Sequence, residues 1–118
     1  MREWIGVDLD GTLAQYDGWK GPEHIGPPIP KMVERVKRWL AADEYAVKIF
    51  TARVSCRDDE ELFRVHCAIQ RWLFEHIGQE LEVTCTKDYA MAELWDDRVV
   101  QVTPNTGEPV GTSRRGLS

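Results

Sequence analysis

The chain has 118 residues, a formal net charge of −5 and a sequence pI of about 5.2. A chain of this length forms one domain, and its 42% hydrophobic and 30% charged residues are typical of a globular protein with a core. The net acidity excludes the global basic field that attracts nucleic acid or anionic membrane. The three cysteines have no CxxC pairing and favour reduced thiols. Because no apolar run has the roughly twenty residues of a membrane span and no signal-peptide pattern is present, we expect a cytoplasmic protein.

The first predicted element is a short apolar strand that ends in two aspartates. Asp8 and Asp10 lie where the strand should end, and Gly11 and Thr12 follow them. Two carboxylates this close repel each other unless a cation neutralises them, and a hard divalent cation with oxygen ligands does so well. A strand that opens into a glycine turn also exposes backbone N–H groups that can hold phosphate. Taken alone, the same residues fit an ordinary Asp-Gly surface turn.

Two helices are predicted from the spacing of apolar residues. A loop rich in glycine and proline, residues 14–30, follows the first strand, and we call it the flap. Apolar residues then recur with helical period over residues 31–42, and Pro30 suits the start of a helix. Asp58 with Glu61 makes a capping box that predicts a second helix reaching to about residue 77.

Short apolar runs predict the remaining strands, and they alternate with the helices. Such alternation predicts an α/β fold, here a single Rossmann-like domain with a mostly parallel five-stranded sheet and helices on both faces. Residues 1–103 would form this core and residues 104–118 a C-terminal tail. After the first strand, the predicted strands cover residues 45–50, 81–85, 94–95 and 99–102, with a helical turn at 88–91.

Polar side chains follow four of these strands at the point where each one ends. Ligands of open parallel sheets bind beyond the carboxyl ends of the strands, so these side chains should converge on one site. The residues are Asp8 and Asp10 after the first strand, Thr51 and Arg53 after the second, Lys87 after the third, and Asp96 and Asp97 after the fourth.

These residues form an ordered set of motifs: DLDGT, then FTAR, then a single lysine, then WDDR. The set resembles the four motifs of the haloacid dehalogenase (HAD) superfamily, in its phosphatase branch. The resemblance spans residues 5–98, and its specificity lies in the order and spacing of the motifs. Lys87 is the only candidate for the third motif, because no other lysine follows Lys48 in the chain. Lys48 itself lies inside a predicted strand.

The resemblance implies a magnesium-dependent phosphatase. Asp8 would be the nucleophile that forms an aspartyl-phosphate, and Asp10 the general acid and base. The Asp8 carboxylate, the Asp10 backbone carbonyl and Asp96 would hold Mg²⁺. Asp97 would be either a second metal ligand through water or a group that orients Lys87.

The resemblance also implies a phosphate-binding set. Thr51 would hydrogen-bond the transferring phosphoryl group, together with backbone N–H groups near Gly11 and Thr12. Lys87 would offset negative charge on the phosphoryl group and on Asp8. Each of these residues also has an ordinary alternative, such as a strand-end hydroxyl for Thr51 or a solvated surface position for Lys87.

The chain has no room for a cap domain, so it resembles an uncapped member of the superfamily. The substrate would then meet the flap, whose Tyr16, Trp19, Lys20 and His24 could stack on a base or bind a sugar, with Arg53 at the positive rim. The alternative is local anchoring of the loop, with Trp19 packed on the domain. An exposed site is also compatible with a homodimer that covers it.

Three functions remain open at this point. The first is a magnesium-dependent phosphomonoesterase, whose phosphorylated substrate the sequence does not name. The second is a polynucleotide-end (3′) phosphatase, which the acidic charge disfavours because strand binding needs a basic track. The third is a non-catalytic subunit that binds magnesium or phosphate, against which the intact Asp8, Asp10, Thr51 and Lys87 argue.

Overall fold

The computed structural model describes residues 2–111, where strands and helices alternate up to the last two strands, which follow each other with no helix between them. No helix in that range is long and apolar enough to cross a lipid bilayer. In chain order the elements are β1 (Trp4–Asp8), α1 (Pro30–Ala42), β2 (Ala46–Phe50), a 3-10 turn (Ala52–Ser55), α2 (Asp59–His76), β3 (Glu82–Thr84) and β4 (Met91–Trp95).

The four strands form one parallel sheet in the order β3-β2-β1-β4, which places β1 inside it. β1 pairs with β2 from Trp4 opposite Ala46 to Asp8 opposite Phe50. Because the strands are parallel, all their carboxyl ends meet at one edge of the sheet, where the polar residues begin. The predicted α/β, Rossmann-like arrangement is confirmed at this level.

One face of the sheet carries the hydrophobic core. Ile5 and Val7 of β1 register with Val47 and Ile49 of β2, so all four side chains point to the same side. Burying a Val, Leu or Ile side chain contributes about 1.5–3 kcal/mol, so this layer is a main source of the stability of the domain. Both helices bury their apolar residues in it, namely Met32 and Val36 from α1 and Val65, Ile69, Trp72 and Leu73 from α2.

The expectation of helices on both faces is wrong for residues 2–111, since α1 and α2 share one face. The crossovers from β1 to β2 and from β2 to β3 move across the sheet in the same direction. Right-handed connections then place both helices on the same side. The connection from β3 to β4 crosses the sheet in the opposite direction. A helix in this connection would therefore pack on the second face. That link, residues 85–90, contains a turn and no helix.

The second face is covered partly by the sheet's own side chains. Trp4 is buried there, and the Lys48 ammonium lies 4.6 Å from the centroid of its indole ring. The Trp4 Nε1–H donates to Asp88 at 2.8 Å, which fastens the link of residues 85–90 to this face. Gly6 leaves room for the indole, because a Cβ at that position would lie 3.0 Å from the Trp4 ring.

The predicted helices are confirmed, and their ends follow the predicted signals. Pro30 begins α1, where a missing N–H costs nothing. The Asp58 carboxylate caps α2 by accepting a hydrogen bond from the Glu60 N–H at 3.0 Å. Gly78 follows α2 with a φ of +97°, a conformation that glycine adopts without strain.

The predicted fifth strand, residues 99–102, does not form within the described chain. A parallel neighbour of β4 would need a crossover of about a dozen residues or more, and only residues 96–98 precede this segment. Its backbone bonds instead to residues after it, since the Gln101 carbonyl accepts a hydrogen bond from the Val110 N–H at 2.8 Å. The sheet therefore has four strands in residues 2–111.

The fourth strand is longer than predicted. β4 begins at Met91 rather than at residue 94, so the predicted helical turn at residues 88–91 is only a tight turn that leads into it. Within the predicted tail, residues 104–111 are exposed, and residues 112–118 lie outside the described range.

Candidate active site

A cavity of about 390 Å³ opens at the carboxyl edge of the sheet. Its walls come from the ends of β1, β2 and β4 and from the flap. A second cavity of about 410 Å³, between Trp39, Tyr45 and Glu93, contains none of the residues predicted for the site. The first cavity is lined by Asp8, Asp10, Tyr16, Trp19, Phe50, Thr51, Ala52, Arg53, Asp96, Asp97 and Arg98.

Three carboxylates converge in this cavity. One oxygen each from Asp8, Asp96 and Asp97 lies within 4.8 Å of the others, and this is the only group of three or more His, Cys, Asp or Glu residues so arranged in residues 2–111. Burial of Asp8, followed by the negative charge of Asp96 and the hydrogen bond and charge of Asp97, raises the pKa of Asp8 to about 7. Such a cluster is electrostatically costly by itself and favours a bound cation.

The donor set fits a magnesium ion. Mg²⁺ prefers oxygen ligands and is usually held by one or two carboxylates with water completing its octahedron. Gly11 makes room for the cluster, since a Cβ at that position would lie 2.6 Å from Asp97 Oδ2. Thr12 stabilises the ionised Asp8, because its hydroxyl donates to Asp8 Oδ2 at 3.3 Å.

The Asp10 side chain belongs to a different pair. The Arg53 guanidinium donates to both of its oxygens, from Nε at 2.7 Å and from Nη2 at 2.9 Å. The Asp10 carboxylate is therefore not part of the three-carboxylate cluster. It still lines the cavity, so one cavity holds a potential metal group and a separately held carboxylate.

Thr51 is the one polar residue that is buried in the described chain, with 2% of its surface exposed. It directly follows β2, and its N–H donates to the Thr84 carbonyl at 2.9 Å. Its hydroxyl accepts a hydrogen bond from the Arg53 N–H at 3.2 Å and so begins the 3-10 turn. A hydroxyl at this position keeps its own proton available to a ligand in the cavity.

Two other predicted phosphate-binding residues, Gly11 and Lys87, do not line the cavity in this structure. The Gly11 N–H already donates to the Ala14 carbonyl at 2.8 Å, within the turn after β1. Lys87 is exposed and does not line the cavity. It lies on the link of residues 85–90, which runs back from the carboxyl end of β3 to the amino end of β4. The roles of these residues stay predictions.

The flap contributes two of its four predicted residues to the cavity. Tyr16 and Trp19 line it and are exposed, Tyr16 at 44% and Trp19 at 57%. Lys20 instead pairs with Asp17 at 3.1 Å, and the exposed His24 is not in the lining. The aromatic rings are therefore available to a ligand in the cavity, whereas neither basic residue lines it.

The sequence did not indicate two features of the site. Arg53 was expected at a positive rim, and the structure places its guanidinium on Asp10, with a side chain only 5% exposed. Arg98 was not predicted for the site but lines the cavity, and its N–H donates to Asp96 at 2.8 Å. Its position directly after the two aspartates was the only available signal.

Comparisons with known proteins give one partial likeness. No protein-family model matches the chain, and no curated protein sequence matches it. Among solved structures, the chain is similar to D,D-heptose 1,7-bisphosphate phosphatase from B. bronchiseptica complexed with magnesium and phosphate, with 22% identity and a TM-score of 0.47. The likeness covers 70% of this chain and 48% of that chain, so the chain spans about half of its length.

Proposed function

We propose that this chain is a magnesium-dependent phosphomonoesterase of the HAD type, with an uncapped site. The observation that carries the proposal is the convergence of Asp8, Asp96 and Asp97 within 4.8 Å at the carboxyl edge of a parallel sheet. Asp10 and the buried Thr51 line the same cavity. A cation site with the separate Asp10 carboxylate and the Thr51 hydroxyl beside it is suited to phosphoryl transfer.

Asp8 would act as the nucleophile and Asp10 as the general acid and base. An Asp8 carboxylate oxygen attacks phosphorus, and the bond from phosphorus to the leaving oxygen breaks. Asp10 enters this step as the protonated carboxyl group and gives its proton to that oxygen. Water then attacks the phosphorus of the aspartyl-phosphate while Asp10 takes a proton from it. Inorganic phosphate leaves, and both carboxyl groups return to their starting states.

The magnesium ion would be held by Asp8 and Asp96, with Asp97 either a ligand through water or an orienting group, and with the Asp10 carbonyl as a further oxygen. When bound, it supplies positive charge that stabilises the negative charge of the transferring phosphoryl group. Around it, Thr51 would donate its hydroxyl proton to a phosphoryl oxygen. Lys87 and the backbone near Gly11 and Thr12 complete the proposed set, and Lys87 would need to turn toward the cavity.

The flap favours a substrate with a planar group. Tyr16 and Trp19 present exposed rings at the cavity, and an aromatic ring can stack on a nucleobase. This observation supports the polynucleotide-end (3′) phosphatase as the second candidate. The net charge of −5 weighs against it, because binding a strand requires cationic contacts to its phosphates.

The test is hydrolysis of p-nitrophenyl phosphate by the wild type and by Asp8→Asn, with Mg²⁺ and with a chelator. We expect magnesium-dependent turnover that Asp8→Asn lowers at least about 10³-fold, as removal of a nucleophile does. Asp17→Asn is the matched control, because Asp17 is a flap carboxylate outside the cavity lining. Equal rates for wild type and Asp8→Asn would refute the proposal.

A substrate panel separates the candidates. Phosphate release is compared from a 3′-phosphorylated oligonucleotide, mononucleotides and sugar phosphates at equal concentration. Preference for the oligonucleotide identifies the second candidate. Calorimetric binding of Mg²⁺ without turnover of any substrate would identify the non-catalytic subunit instead.

A further inference from the structure

The Arg53 side chain donates four hydrogen bonds at the cavity. Its Nε and Nη2 hold the two oxygens of Asp10, at 2.7 and 2.9 Å. Its Nη1 donates to the Pro22 carbonyl at 3.1 Å, and Nη2 also donates to the His24 carbonyl at 2.8 Å. One guanidinium thus joins the loop after β1 to two backbone positions of the flap.

The flap has a further contact with the same group. The Arg53 guanidinium carbon lies 4.9 Å from the centroid of the Trp19 ring, a cation–π arrangement. Trp19 lines the cavity together with Tyr16. One side chain therefore contacts Asp10, the Trp19 ring and two backbone carbonyls of the flap.

We propose that Arg53 is a positioning residue, which fixes the Asp10 carboxylate for proton transfer and fastens the flap over the cavity. The proposal rests on the proposed phosphatase function for its catalytic part. A guanidinium suits this role because its planar fork can serve a carboxylate and two carbonyls at once. A lysine at the same position keeps the charge but cannot reproduce that fork.

The catalytic part of the proposal is tested by how kcat depends on the leaving group of the substrate. p-Nitrophenolate leaves readily without a proton, whereas an alkoxide needs one, so misplacing Asp10 should affect alkyl phosphates more. For Arg53→Lys we expect kcat on glycerol 2-phosphate to fall about tenfold further than kcat on p-nitrophenyl phosphate. A general structural defect would lower both rates by the same factor, and that result would overturn this part.

The flap part is tested by amide hydrogen exchange, which needs no activity. In Arg53→Lys we expect amides of residues 16–26 to exchange at least about tenfold faster, while amides of α1 and β2 keep their wild-type rates. Unchanged exchange in the flap would overturn the proposed fastening. If Arg53→Lys does not fold, Asp10→Asn and Trp19→Leu test two of the same contacts by changing the partner of Arg53. For both variants we expect the same faster amide exchange in the flap.

Arg57→Lys is the matched control. Arg57 lies four residues further along, is exposed, and does not line the cavity. For this variant we expect wild-type exchange rates in the flap and the wild-type kcat on each of the two substrates. If the wild type hydrolyses neither ester, the phosphatase proposal fails, while the exchange result still decides whether Arg53 fastens the flap.

Discussion

Asp8 has to satisfy two opposing demands. A nucleophilic carboxylate must be ionised near neutral pH, yet burial and the neighbouring Asp96 and Asp97 raise the pKa of Asp8 to about 7. A cation among the three carboxylates reverses the balance, because positive charge favours their ionised forms. The cluster that would bind magnesium is therefore also a local source of instability when no cation is bound.

We predict that the stability of the cation-free protein falls as pH rises from about 4 to about 7. The pKa of Asp8 is about 7 in the folded state and 3.8 ordinarily, so the folded state holds an extra proton in this window. The free energy of unfolding then declines with pH and levels off above pH 7. Urea unfolding at pH 5 and pH 8 with a chelator measures this, and Mg²⁺ should restore stability at pH 8.

Asp8→Asn is the control, since it removes the titrating group while keeping its shape. The stability difference between wild type and variant isolates the contribution of Asp8 from the other carboxyl groups. We expect the variant to gain stability relative to the wild type at pH 8 in chelator. A difference between the two proteins that is the same at pH 5 and pH 8 would contradict the raised pKa.

The sequence predicted which strand-end residues could meet, but not how their side chains would be paired. The order of the motifs led to Asp8, Thr51 and Asp96, and these three line one cavity. It carried no information on the pair between Asp10 and Arg53, which joins residues 43 positions apart and depends on the path of the flap. Side-chain partners across loops follow from tertiary packing, which periodicity does not encode.

At the scale of elements, the flap depends on close backbone contacts at its base. The Gln15 N–H donates to the Pro27 carbonyl at 2.8 Å, and the Trp72 Nε1–H donates to the Gly26 carbonyl at 2.9 Å. A Cβ at Gly26 would collide with the Gln15 carbonyl, a backbone atom that cannot turn away. The flap can therefore close at its base only with glycine at that position.

We predict that Gly26→Ala destabilises the protein by about 1–3 kcal/mol, the usual range for overpacking. Urea unfolding measures the change. Gly111→Ala is the control, because no atom lies within 4 Å of the added Cβ at that position. A Gly26→Ala protein as stable as the wild type would mean that the flap base can open without cost.

The elements themselves were predictable to different degrees. The helices carried redundant signals, namely an apolar stripe and a start at Pro30 or at the Asp58 cap, and both formed. The strand expected at residues 99–102 had only its valines, and the topology left it no parallel partner. Apolar content alone does not make a strand, because the backbone also needs a neighbour to bond.

At the scale of the whole molecule, the described residues beyond the proposed site are all exposed to solvent. Asp96 and Asp97 are the last residues of the described chain that are partly buried, and residues 98–111 are exposed. Beyond them, backbone hydrogen bonds such as that from Val110 to Gln101 at 2.8 Å join the segment to itself. The C-terminal segment thus contributes no described side chain to the core that positions the site.

We predict that a chain of residues 1–103 keeps the fold and the activity of residues 1–118. The core cluster lies between Ile5 and Leu81, and residues 104–111 are exposed, so we expect the truncation to change the free energy of unfolding by less than about 1 kcal/mol. Urea unfolding and the magnesium-dependent rate on p-nitrophenyl phosphate measure the two properties. A second chain, residues 1–111, separates the contribution of residues 104–111 from that of residues 112–118. A loss of more than about 1 kcal/mol between residues 1–111 and 1–103 would show that the exposed turn stabilises the domain, and would move its boundary beyond residue 103.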